Sequence, residues 1–228
     1  MRNPVSNEFI LDSCRIGDKD VFQALVIIGC NFNFRDHNSK SPLFLLTFFS
    51  HTKSLVEILK SPNLDINITD NEGCSALFIA SYKKNAKIMK MLLEAKADPN
   101  LSTNDGQTPL SIACANGNVD GVLALTDRED LKHEYRIEHH PWFLAAQNGF
   151  KEILEIFLNK KIFDIDLVDE HGFTALALAT QNNHILTTKF LVENKADIHK
   201  PNNFLKTPIE IAKFNQNKEI IEVINRAL

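Results

Sequence analysis

In the stretch 128–142, REDLKHEYRIEHHPW, residues His133, Glu134, Glu138, His139 and His140 carry side chains that bind metals or move protons. A zinc hydrolase site carried on one helix uses HExxH, two imidazoles one turn apart with a glutamate as base. His133-Glu134 opens that pattern, but residue 137 is Ile137 where the second histidine belongs. His139 and His140 are adjacent, so in an extended hairpin their rings point different ways. Zinc needs three or four converging ligands. The stretch therefore reads as an exposed hairpin, and no metal is assigned. The cysteines, Cys14, Cys30, Cys74 and Cys114, form no CxxC pair. Cys114 with a distant histidine would make a nucleophile and base, but nothing in the sequence brings such a pair together. Neither GxxxxGK[ST] nor GxGxxG occurs, so no nucleotide cradle is assigned. The reading is of no enzyme and no cofactor. A metal-dependent enzyme using the 133–140 histidines stands as the remote alternative.

Lys83, Lys84, Lys87 and Lys90 follow Tyr82 and would line a basic strip. Nucleic acid demands a stronger field than this chain provides: 25 basic against 29 acidic residues give a net charge of -4. The strip reads as a solvated helix face, without a nucleic acid partner. The scattered cysteines fit a reducing compartment. No apolar run is long enough for a membrane span, and no signal segment opens the chain. A cytoplasmic, monomeric protein is expected. The abundance of Phe, Asn, Lys and Ile suits a host-associated microbe, so the cytoplasm of a host cell, reached by a secreted effector, is a second expectation.

What must position all these residues is a repeated unit. The segments SPLFLL from Ser41, SALFIA from Ser75, TPLSIA from Thr108, HPWFLA from His140, TALALA from Thr174 and TPIEIA from Thr207 are in register. A worn first copy, EFILDS, begins at Glu8. Thr or Ser at the anchor caps the open amides of a first helical turn. Pro42, Pro109, Pro141 and Pro208 then fall at the first helical position, where a missing amide proton is harmless. Ala80, Ala113, Ala145, Ala146, Ala179 and Ala212 keep the packing face small. Gly17, Gly117 and Gly149, nine residues after their anchors, permit a left-handed helix end. A second amphipathic segment follows, such as AKIMKMLLE at 86–94 or FKEILEIFL at 150–158. A polar-apolar alternation then closes each unit. One such unit cannot bury its own apolar face, so neighbours must stack.

These features resemble the ankyrin repeat family. Asp105-Gly106, Thr108-Pro109-Leu110, Ala113 and Asn116-Gly117 match its hairpin and first helix, and Ala97-Asp98-Pro99-Asn100 matches its close. The expected fold is an all-α ankyrin repeat solenoid of helix-turn-helix units joined by short hairpin loops. It forms a single domain over 5–228 with about seven repeats, at approximately 5–37, 38–71, 72–104, 105–136, 137–170, 171–203 and 204–228. The hairpin glycine is replaced by Ser39, Glu138 and Leu205, where Asn38 and Asn203 are expected to take the left-handed position. Segment 128–142 departs most; it reads first as simple drift in one hairpin, with a kink or a specialised finger as the alternatives.

The resemblance implies a non-catalytic module that binds a protein through a concave groove lined by first helices and hairpin tips. Transferring that layout places Phe48, Phe49, Tyr82 and Lys83 on the groove as apolar anchors with a basic edge, and Gln147 and Gln181 in its middle. Asp70, Glu72, Asp105, Glu170 and His171 form an acidic, polar ridge of finger tips. The partner is a protein of unknown identity, and a host protein is one expectation. A structural or inhibitory subunit of an enzyme complex is the alternative within the same fold.

Overall fold

The computed structural model describes residues 3–227. They form fourteen α-helices. These run α1 Asn7–Ile16, α2 Lys19–Ile27, α3 Pro42–Phe48, α4 Thr52–Ile58, α5 Ala76–Tyr82, α6 Ala86–Glu94 and α7 Pro109–Asn116. They continue with α8 Val119–Thr126, α9 Pro141–Gln147, α10 Lys151–Asn159, α11 Ala175–Gln181, α12 Ile185–Glu193, α13 Pro208–Phe214 and α14 Lys218–Asn225. A 3-10 turn, Ile137–His139, precedes α9. Antiparallel bridges at Thr69–Ser75 and Val168–Thr174 pin two hairpin necks. Among the described residues no helix is long and apolar enough to cross a membrane. The fold is the expected all-α solenoid of stacked helix-turn-helix pairs.

The residues group into two compact units. One runs to Ala113 and includes Ala124–Lys132; the other takes Cys114–Leu123 and His133 onward. In the first, α1 packs on α3, α3 on α5, and α2 on α4. In the second, α9 packs on α11 and α11 on α13, while α10 packs on α12 and α12 on α14. The anchors behave as caps. Ser41, Ser75 and Thr174 each accept the amide three residues on, and Thr108 accepts from Ser111. Thr207 donates its amide to Glu210 at 2.8 Å in a capping box, which holds the Glu210 carboxyl below its usual range. His140 makes no side-chain cap. The worn first copy is capped by Ser6 rather than at Glu8, so α1 starts earlier than its register. Small side chains let the first helices meet closely: Ala80, Ala113, Ala145, Ala146, Ala179 and Ala212 are fully buried. Each fully buried leucine or phenylalanine beside them contributes about 1.5–3 kcal/mol.

Two positions show how the repeats interlock. Where the next pair opens with a ring, the left-handed helix end is glycine. Gly17 lies under His51, whose Nε2 meets the Arg15 carbonyl at 3.1 Å. Gly149 lies under His184, whose Nε2 meets the Gln147 carbonyl at 2.8 Å. Where the next pair opens with asparagine, a side chain is admitted. Ser50 pairs with Asn85 at 3.3 Å, and Asn183 with Asn217 at 3.1 Å. Both Ser50 and Asn183 hold φ of 61°.

The hairpin fingers have a second rule. Asp36, Asp70, Asp169 and Asn202 each turn their side-chain oxygen back to accept the amides two and four residues on. This Asx geometry closes the tip without outside help. The left-handed residue three positions on is Ser39 (φ 62°) and Leu205 (φ 58°) where glycine is missing. Asn38 and Asn203 do not take that role, contrary to the expectation from residue preference: the tip's hydrogen bonds fix which residue turns, whatever its side chain. By register the same place in segment 128–142 is Tyr135, whose hydroxyl stands at the far end of a ring and meets His133 instead of folding back on the turn. The chain makes the 3-10 turn there instead, and the segment is a rebuilt finger.

Candidate functional site

Helix α3 lies between α1 and α5, so Leu43, Leu46 and Thr47 are fully buried and the helix's last turn emerges from the stack. Phe48 and Phe49 stand there, 39% and 43% exposed, and Tyr82 at the matching place on α5 is 54% exposed. Phe48 stacks on Phe44 at 6.1 Å and 11°, as their spacing of one helical turn allows. Phe49 meets Phe48 edge-on at 5.4 Å and His51 at 5.9 Å. The Lys83 ammonium lies 4.4 Å from the centre of the Phe48 ring, and the Lys40 ammonium 4.4 Å from that of Phe44. Such contacts at exposed sites are worth about 0.5–1 kcal/mol each. The cluster therefore holds together before any partner arrives. Sequence register located Phe48, Phe49, Tyr82 and Lys83. It missed Phe44 and Lys40, although the Phe44–Phe48 spacing was the available signal.

The finger residues divide. Glu72 and Asp105 are exposed in the first unit, and Glu170 and His171, 3.6 Å apart, in the second. Asp70 is not on an exposed ridge. Its side chain is 1% exposed, ion-paired with Lys40, and accepts the Glu72 and Cys74 amides. The turn preference that made it look like a tip residue is what draws its carboxylate inward. Gln147 and Gln181 are exposed at the ends of α9 and α11. Beside Gln147 is a niche of about 110 Å³, floored by Phe143 and Leu178 and rimmed by Glu138, Asp169 and Glu170.

The histidine stretch is an aromatic assembly. Phe163 sits 4.7 Å from His140, 6.1 Å from Tyr135, 6.0 Å from His133 and 5.0 Å from Phe157. Burial holds the His140 pKa down at about 4 and pushes the Tyr135 hydroxyl up. The buried His140 Nδ1 and Trp142 Nε1 have no hydrogen-bond partner among the described residues. Rings, not ligands, surround His140. The set that does converge is Asp70, Glu72 and Cys74, within 4.8 Å. Asp70 is already committed to Lys40 and two amides, and the Cys74 thiol is pushed up to about 11 by burial and the nearby carboxylates. All four cysteines are buried and free. Burial raises Cys14 to about 12 and Cys114 well above its ordinary value, so neither offers a thiolate at neutral pH.

The repeat geometry has counterparts among known proteins. The family profile described as ankyrin repeats (3 copies) matches residues 10–102, 50–138 and 142–225. Human neurogenic locus notch homolog protein 1 is 33% identical over 149 residues, which is 64% of this chain and 6% of that protein. Human neurogenic locus notch homolog protein 2 is 33% identical over 132 residues, 57% of this chain and 5% of that protein. The chain thus spans a small fraction of these relatives. The ankyrin repeat domain of human ASB11 superimposes with a TM-score of 0.74 at 26% identity, covering 82% of this chain and 84% of that one. The ankyrin repeat protein EF0377 gives 0.74 at 26%, covering 81% and 96%. The ankyrin repeat domain of Bcl-3, at 0.82 and 17% identity over 98% and 100%, shares the fold. With matched repeats spread from residue 10 to residue 225, the chain belongs to the ankyrin repeat family.

Proposed function

We propose that this ankyrin-repeat interaction scaffold is non-catalytic and binds a protein partner across the exposed ends of its first helices, with α3 and α5 as the main contact. The observation that carries this reading is the cluster of Phe44, Phe48, Phe49, Lys40 and Lys83 beside Tyr82. Large aromatic side chains left partly in water, and held in place by cations and by each other, are what interface hot spots are built from. Glu72, Asp105, Glu170 and His171, with Gln147 and Gln181, offer polar contacts at which a correct partner is told from a wrong one. The backbone behind those residues is hydrogen-bonded within the fold, so ordering them on binding loses little entropy.

A photo-crosslinking amino acid placed at Phe49 or Tyr82, and at Val56 on α4 or Leu186 on α12 as outer-helix controls, tests the reading in cells. A discrete crosslinked protein from 49 and 82, but not from 56 and 186, is expected. Crosslinks from the second-helix positions alone would place the binding surface on the other side of the helix pairs.

A further inference from the structure

The first-unit face reverses the charge of the chain. On α3 to α6 and the turns inside those pairs, the exposed charged side chains are Lys53, Lys83, Lys84, Lys87 and Lys90, with Glu94 only at the far end of α6. Glu57 is buried and paired with Lys60. The acidic side chains around it are already engaged: Asp70 is ion-paired with Lys40, Asp12 on α1 with Arg15, and Asp18 before α2 caps the Asp20 amide. This basic, aromatic surface sits in a protein of net charge -4. Resting on the reading of α3 and α5 as the contact face, we infer that its ligand is an acidic peptide segment: an aromatic or aliphatic side chain flanked closely by carboxylates. The apolar side chain covers Phe48, Phe49 and Tyr82. The carboxylates meet Lys83 and Lys84 and, at longer range, Lys53 and Lys87.

The geometry favours a peptide over nucleic acid. A base stacks on an open aromatic face. Phe48 has one face against Phe44, and Lys83 lies over its ring. What it offers is an edge and a flanking ammonium, a fit for an apolar side chain beside a carboxylate. Removing that apolar group from water strengthens the adjacent charge pair, and the remaining lysines steer the acidic segment in.

A random peptide library displayed on phage, panned against the full chain, tests this. Enriched sequences should carry Asp or Glu within two residues of Phe, Tyr, Trp or Leu. A synthetic peptide from them should bind less tightly as salt rises. It should lose at least about tenfold in affinity to a Lys83→Glu, Lys84→Glu variant and to a Tyr82→Ala variant, each shown folded by circular dichroism. The same peptide with lysines for its carboxylates should regain affinity for the charge-inverted variant. Enrichment of basic or neutral sequences, no enrichment, or a single-stranded RNA oligonucleotide that binds more tightly than the peptide would overturn the inference. Loss with Tyr82→Ala but not with charge inversion would reject the acidic ligand and leave the contact face standing. Insensitivity to both would reject the two together.

Discussion

Gly149→Ala puts a methyl group into a place the fold has already filled. A Cβ built on Gly149 falls 2.5 Å from His184 Nδ1 and 2.6 Å from its Cγ, with φ at 76°. Gly29 provides the control: its φ is 74° and a Cβ there meets nothing within 4 Å. Both substitutions impose the same left-handed strain, about 1–2 kcal/mol, partly offset by the stiffer unfolded chain. Only Gly149→Ala also forces the His184 ring off its 2.8 Å contact with the Gln147 carbonyl. A lost hydrogen bond of this kind is worth about 0.5–1.5 kcal/mol, and displacing the ring adds about 1 kcal/mol or more. Urea unfolding followed by circular dichroism should place Gly149→Ala about 2 kcal/mol below Gly29→Ala. The swap Gly149→Ser with His184→Asn recreates the Ser50–Asn85 pairing of another repeat, and should recover at least half of that loss. Equal effects at Gly149 and Gly29, or a double variant as weak as Gly149→Ala, would show that the ring over the glycine does not set this position.

Other outcomes follow from the same geometry. Leu205→Gly relieves a left-handed leucine that is 81% exposed, so the urea midpoint should rise, by up to about 1 kcal/mol in stability; a fall would mean that the leucine packs usefully. Asp70→Ala removes the acceptor of two amides and the partner of Lys40, and should destabilise by about 2–4 kcal/mol, whereas Asp70→Asn, which keeps an oxygen for the amides, should lose about half as much in the same assay. His140 is held neutral to about pH 4 in the fold, while an unfolded histidine takes up its proton near 6.5. Protons therefore favour the unfolded chain as pH falls through that window, removing on the order of 2 kcal/mol, and His140→Leu should flatten the loss when stability is compared at neutral pH and just above pH 4.

The repeat and its helices were legible because local chemistry and packing ask for the same residues. Thr174 caps, Pro208 starts a helix and Ala179 fits between helices, and each of these is readable alone. Phe48 and Tyr82 were legible by register, since knowing which side of a helix packs also tells which side does not. Asp70 was misread because turn propensity says where a residue sits in the chain but not where its oxygen points. Ser39 and Leu205 take conformations their side chains disfavour, imposed by hydrogen bonds that no single-residue preference reports. The ring assembly around Phe163 joins Tyr135 and His140 to a residue more than twenty positions away, a contact that exists only once α9 and α10 are packed.

The self-closed fingers bear on how such a protein changes over generations. Because Asp36, Asp70, Asp169 and Asn202 each satisfy their own turn, the neighbouring tip side chains at Glu72, His171 and Phe204 are not part of what keeps the turn shut. Drift can rewrite those letters while the loop keeps its shape, and a lineage can acquire a new partner without passing through an unfolded ancestor. Tyr135 marks the finger where that freedom has been given up, and there the chain is tied to its own rings instead.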